Sequence, residues 1–135
     1  MNFILNITNK TEKAENYNSL TLAFLGDAVY ELEIRRYICA GGSVPSGVLH
    51  KKTVHFVCAA YQAKAYDLLE GFLSENEMAV MKRGRNANGA SVPKSSSPQE
   101  YRKATGVEAL FGYLYLKGEE ERINEIASHI LENIE

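Results

Sequence analysis

Leu20-Thr21-Leu22-Ala23-Phe24-Leu25-Gly26-Asp27-Ala28-Val29-Tyr30-Glu31 sets one carboxylate, Asp27, in the middle of an otherwise apolar run. At helical spacing Leu20, Phe24 and Ala28 form one stripe and Leu25, Val29 and Leu32 the next, with Asp27 at the edge of the first and Gly26 beside it. An acid in that setting needs a partner, and the ordinary one is a Lys, an Arg or a backbone N–H at the edge of the core. Two apolar stripes on one helix are also more than a small domain covers by itself, which predicts that a second copy of the chain covers one of them.

The same grammar recurs downstream in Thr105-Gly106-Val107-Glu108-Ala109-Leu110-Phe111-Gly112-Tyr113-Leu114, again one acid among small and apolar residues. A glycine inside a helix costs about 1 kcal/mol relative to alanine, so Gly26, Gly106 and Gly112 are expected where another helix approaches closely. Two such helices crossing at their glycines would bring Asp27 and Glu108 together. Two carboxylates in an apolar setting repel unless one is protonated or a cation lies between them. Oxygen-only ligands select a hard ion, Mg²⁺ with Mn²⁺ as substitute, which keeps several waters and needs only one or two carboxylates.

The rest of the chain reads as helices and turns. Asn18 or Ser19 caps the first helix, which runs to Cys39 and stops at Gly41-Gly42, with Glu31 placed to pair with Arg35 on its surface. Pro45 and Ser46 restart a short helix carrying His50, Lys51 and Lys52, and a longer alanine-rich helix is expected from Val54 to Leu73. Ser74 and Glu77 form a capping box for a helix that ends in Lys82-Arg83-Gly84-Arg85-Asn86, cations at the C-terminus where the helix dipole favours them. Residues 88–97, rich in Gly, Ser and Pro, read as a mobile loop. Ser97-Pro98-Gln99-Glu100 is a second capping box, opening the Glu108 helix, which Gly118 stops. Ile123, Ile126, Ile130 and Ile134 mark a final amphipathic helix. No useful stretch alternates with period two, so the fold class is all-α.

With 135 residues, 45% of them hydrophobic and 24% charged, residues 1–135 form a single domain, residues 1–16 being an N-terminal extension. The apolar run of that extension is too short for a signal peptide or a membrane span, so a cytoplasmic protein with no membrane partner is expected. Cys39 and Cys58 sit in apolar contexts without a CxxC or Cys/His cluster, which predicts two reduced, structural thiols.

The net charge of −2 argues against a nucleic-acid binder, but the distribution does not. Residues 50–103 carry 9 Lys and Arg against 5 Asp and Glu, whereas residues 104–135 carry 2 against 7. A basic zone beside an acidic metal pair is what phosphodiester hydrolysis needs, cations to hold the polyanion and a metal to stabilise charge on the scissile phosphate. Tryptophan is absent and the 8 tyrosines are scattered, so no stacking platform for single strands is visible. Double-stranded RNA is read through its backbone and 2′-hydroxyls, and His50, Lys51, Lys52, Arg83, Arg85, Asn86, Lys94 and Arg102 offer the required groups. Residue types alone would serve DNA as well.

Phe24-Leu25-Gly26-Asp27-Ala28-Val29, followed by Leu49-His50-Lys51-Lys52, Arg83-Gly84-Arg85-Asn86-Ala87, Glu108-Ala109-Leu110 and Tyr113-Leu114-Tyr115-Leu116, resembles the ribonuclease III family, and most closely its mini-ribonuclease III branch, which consists of the catalytic domain alone. The family signature usually reads NERLEFLGDAV and its second motif DxxEAL. In this chain the two signature glutamates fall on Leu20 and Ala23 and the second-motif aspartate on Thr105, so of the four acids only Asp27 and Glu108 remain. One metal per site is the resulting expectation. The resemblance implies an endoribonuclease that hydrolyses double-stranded RNA, with Asp27 and Glu108 as catalytic metal ligands and products bearing 5′-phosphate and 3′-hydroxyl ends. It also implies a homodimer with one site per strand, maturation of the large-subunit ribosomal RNA precursor as the task, and a ribosomal protein as the class of any helper. With no double-stranded-RNA-binding domain after Glu135, affinity is expected to come from the catalytic domain and its dimer. The alternatives are a non-catalytic RNA-binding module on the same fold and a helical protein-interaction domain whose two acids pair with cations.

Overall fold

The computed structural model describes residues 13–87 and 97–135, all of which lie in helices or the turns between them. Most of the N-terminal extension and, Ser97 apart, the whole 88–97 loop with Lys94 lie outside the described residues. After a single 3₁₀ turn at Ala14–Asn16 come α1 (Ser19–Cys39), α2 (Ser46–Val57), α3 (Ala59–Leu69), α4 (Glu75–Asn86), α5 (Pro98–Leu116) and α6 (Glu120–Asn133).

The core is built around α5. Both capping boxes form: Ser74 accepts from the Glu77 N–H and Ser97 from the Glu100 N–H, while each glutamate returns a bond to the capping residue's own N–H. Pro98 opens α5, and Gly118, at φ +75°, takes the left-handed conformation that closes it. From Ala104 to Leu114 every residue of α5 except Glu108 is buried, because α1, α3 and α4 all pack on this one helix.

Glycines set those contacts. A Cβ at Gly26 would run into the Glu108 carbonyl, and one at Gly112 into the Leu22 carbonyl, so α1 and α5 cross backbone to backbone. A second crossing joins α4 to α5, where a Cβ at Gly84 would stand 2.8 Å from the Ala109 Cβ and one at Gly106 2.7 Å from the Met81 carbonyl oxygen. Gly84 therefore belongs to the packing, besides lying among the cations that end α4.

Of the two apolar stripes on α1, that of Leu20, Phe24 and Ala28 stays out of the core; α1 buries Leu22, Ala23, Gly26, Val29, Tyr30, Ile34 and Ile38, and Phe24 is 84% exposed. Two expectations need correction. The helix expected from Val54 to Leu73 is two helices, since Cys58 turns to an extended conformation (φ −68°, ψ 155°). That break is held by two side chains, one local and one from α1: the Gln62 Nε2 donates to the Val57 carbonyl at 2.9 Å and the Tyr30 hydroxyl to the Phe56 carbonyl at 2.6 Å. Finally, Cys39 and Cys58 are free, as expected, but exposed and not packed inside.

At the far end α6 buries Ile123, Ile126 and Ile130, and Ile134 caps it. Arg122 fastens α6 to α4 through two 2.8 Å bonds to the Glu77 carboxylate. The surface pair of Glu31 and Arg35 forms at 2.7 Å. Among the described residues no helix is long and apolar enough to cross a membrane.

Candidate active site

The crossing of α1 and α5 decides where the two acids go. Because Gly26 lies against the backbone of Glu108, Asp27, the next residue of α1, is carried to the rim of the same contact. Asp27 is exposed and Glu108 half-buried, so the pair lies at the edge of the core. The Glu108 carboxyl is pushed up to about 8, first by burial, then by the charge of Asp27 and by a hydrogen bond with it, and a contact from the Gln62 amide pulls the other way. Among the described residues neither carboxylate pairs with a Lys or Arg, which removes the core-edge salt bridge as the reason for their placement.

Such a pair carries more negative charge than its surroundings stabilise, and a proton or a small hard cation relieves it. No third acid, histidine or thiol joins the two carboxylates among the described residues. An ion held there would keep much of its hydration, as Mg²⁺ does readily.

The architecture has a known relative. Over 90% of this chain and 98% of its own, a solved structure of a Fusobacterium nucleatum protein superimposes with a TM-score of 0.80 at 34% identity. The Ribonuclease III domain family matches residues 20–119, the span that holds both carboxylates. This chain belongs to the ribonuclease III family. Within it, the chain is similar to the Mini-ribonuclease 3 of Thermoanaerobacter sp. (strain X514), at 47% identity over 86% of this chain and 82% of the relative. It is also similar to the Mini-ribonuclease 3 of Brevibacillus brevis, at 46% identity over 87% and 88%.

In this ribonuclease III domain the positions where the family's other acids usually stand serve the packing. Leu20 is half-buried and Ala23 is buried on α1, and the Thr105 hydroxyl donates to the Tyr101 carbonyl at 3.0 Å within α5. The cationic candidates divide into two groups. Arg83, Arg85 and Asn86 sit at the C-terminus of α4 and Arg102 in the early turns of α5. Arg83, Asn86 and Arg102 are exposed, whereas Arg85 is half-buried, its guanidinium over the Tyr66 ring at 5.5 Å and its Nε donating to Asn86 at 3.1 Å. Lys103, beside them, is engaged with Asp67 at 2.8 Å. His50, Lys51 and Lys52 are exposed on α2, where His50 lines a cavity with Arg35 and the two lysines line a shallow groove with Tyr37 and Phe56.

Gln62 has no motif to announce it. Its only signal is a lone amide among the small residues of α3, Ala59, Ala60, Ala63 and Ala65.

Proposed function

We propose that this chain is an endoribonuclease that hydrolyses double-stranded RNA with one divalent cation, Mg²⁺ or Mn²⁺, held by Asp27 and Glu108. The observation that carries the reading is the placement of two carboxylates from separate helices at a backbone crossing, one of them with its carboxyl pushed up to about 8 by burial and by the charge of the other. When bound, the cation supplies Lewis acidity to the scissile phosphate and acidifies the attacking water. The residues supply the rest. Asp27 and Glu108 give the ion its charge partners, and the α1–α5 crossing fixes their separation because neither glycine can be opened by a side chain. Arg83, Arg85, Asn86 and Arg102 hold duplex phosphates on one side, Lys94 adds a further phosphate contact, and His50, Lys51 and Lys52 extend the binding along the backbone. The names of the Mini-ribonuclease 3 relatives support the activity.

The exposed stripe of Phe24, Ala28 and Leu32 supports a homodimer, since Phe24 at 84% and Leu32 at 58% exposure would otherwise leave large apolar side chains in water next to the site. Two sites related by that dimer would each cut one strand, leaving 5′-phosphate and 3′-hydroxyl ends. Family resemblance supports precursor ribosomal RNA of the large subunit as the substrate, a cytoplasmic setting and a ribosomal protein as helper.

The test is purified protein on a long RNA duplex, in Mg²⁺ and in EDTA, beside Asp27→Asn and a DNA duplex of the same sequence. Cleavage of the RNA duplex alone, in Mg²⁺ alone, and lost with Asp27→Asn, is the expected result. Metal-independent cutting, or full activity of Asp27→Asn, would overturn the mechanism.

A further inference from the structure

Gln62 lies on α3, 2% exposed, where a buried primary amide must place two donors and two acceptor lone pairs. One donor is spent on the Val57 carbonyl, at 2.9 Å, and this fixes the amide's orientation, because a flipped amide would set two carbonyl oxygens against each other. The same side chain bears on the Glu108 carboxyl as a hydrogen-bonding neighbour that favours its charged form. The oxygen, Oε1, is buried and has no hydrogen-bond partner among the described residues. An orphaned buried acceptor costs about 1–3 kcal/mol, so a protein that keeps one beside a pair of carboxylates has a use for it.

We propose that Gln62 is a positioning residue of the Asp27–Glu108 cation site: its nitrogen is anchored on the Val57 carbonyl, and its unpartnered oxygen accepts a hydrogen bond from the hydration shell of the bound ion. Two carboxylates leave a hard cation with most of its waters, and those waters need acceptors that the described acids do not supply. Anchoring Gln62 on the α2–α3 break also gives the break a function, since the extended residue Cys58 is what lets the Val57 carbonyl meet the amide. The inference rests on the cation reading above.

Mn²⁺ binding by isothermal titration, without RNA, tests it. Gln62→Met keeps the shape and removes both polar atoms, and its affinity should fall about tenfold to a hundredfold, the usual effect of removing a partner behind a metal's direct ligands. Gln62→Glu keeps oxygens at the same place and gives up donation to Val57, so it should bind Mn²⁺ at least as tightly as the wild type while melting lower in EDTA. A purely structural amide would lower the melting temperature of both variants and leave Mn²⁺ affinity alone. Gln62→Met binding within about twofold of the wild type would overturn the inference. If Gln62→Met does not fold, Gln62→Glu decides, and weaker binding than the wild type would overturn it. Wild-type protein that binds no Mn²⁺ would overturn the cation reading itself, whereas wild-type binding abolished by Glu108→Gln but untouched by Gln62→Met would overturn the role of Gln62 alone.

Discussion

Replacing Glu108 by Gln keeps the size of the side chain and removes its charge, and the environment of Glu108 sets the sign of the effect. Its carboxyl stands near 8 against an ordinary 4.5, because burial and Asp27 both oppose ionisation. Between those two values the metal-free folded protein holds a proton that the unfolded chain has released, so its stability falls as pH rises through that window. Each pH unit costs about 1.4 kcal/mol, which gives a ceiling of about 3 kcal/mol at pH 7. Gln does not titrate, so Glu108→Gln escapes the loss. In EDTA the variant should melt close to the wild type at pH 4.5 and above it at pH 7, by up to roughly 10 °C for a domain of this size. Thermal unfolding followed by circular dichroism across that range reads the effect directly. Added Mn²⁺ should raise the wild-type midpoint at pH 7 and leave the variant's unmoved. The reasoning fails if Glu108→Gln melts well below the wild type at pH 7 in EDTA, which would mean that the carboxylate compensates a buried cation worth about 3–5 kcal/mol on removal.

Three further outcomes are expected. Arg85→Ala should weaken RNA duplex binding and lower its log–log salt slope by roughly one or somewhat less, measured by fluorescence anisotropy at several salt concentrations. An unchanged slope would leave Arg85 as a cover for the Tyr66 ring. Phe24→Glu should leave helix content intact and shift light scattering from dimer to monomer, with loss of cleavage; a dimer that survives a charge at that position does not use this stripe. Gly26→Ala should cost at least the 1–3 kcal/mol typical of overpacking, about, because its Cβ meets the Glu108 backbone and not a movable side chain, and a melt within error of the wild type would show that the two helices can part freely.

Much of this protein was legible in its sequence, and for a common reason. Capping boxes at Ser74 and Ser97, the stop at Gly118 and the isoleucine stripe of α6 are fixed by bonds and periodicities that span a few residues, so each is encoded where it acts. The pairing of Asp27 with Glu108 was legible too, since an interior helical glycine carries a cost that a close backbone approach explains, and each acid stands one or a few residues from such a glycine. What local pattern could not supply is which side of a helix another helix covers. Phe24 and Leu22 are both large and apolar, and only the position of α5 buries one and leaves the other in solvent. The break at Cys58 has no glycine or proline to mark it because it is stabilised by side chains, Tyr30 from α1 and Gln62 from the first turn of α3, and the first of these arrives only through the tertiary fold. The charge state of Glu108 and the unpartnered oxygen of Gln62 likewise exist only once water is excluded, because desolvation is a property of the assembled core and of no residue within it.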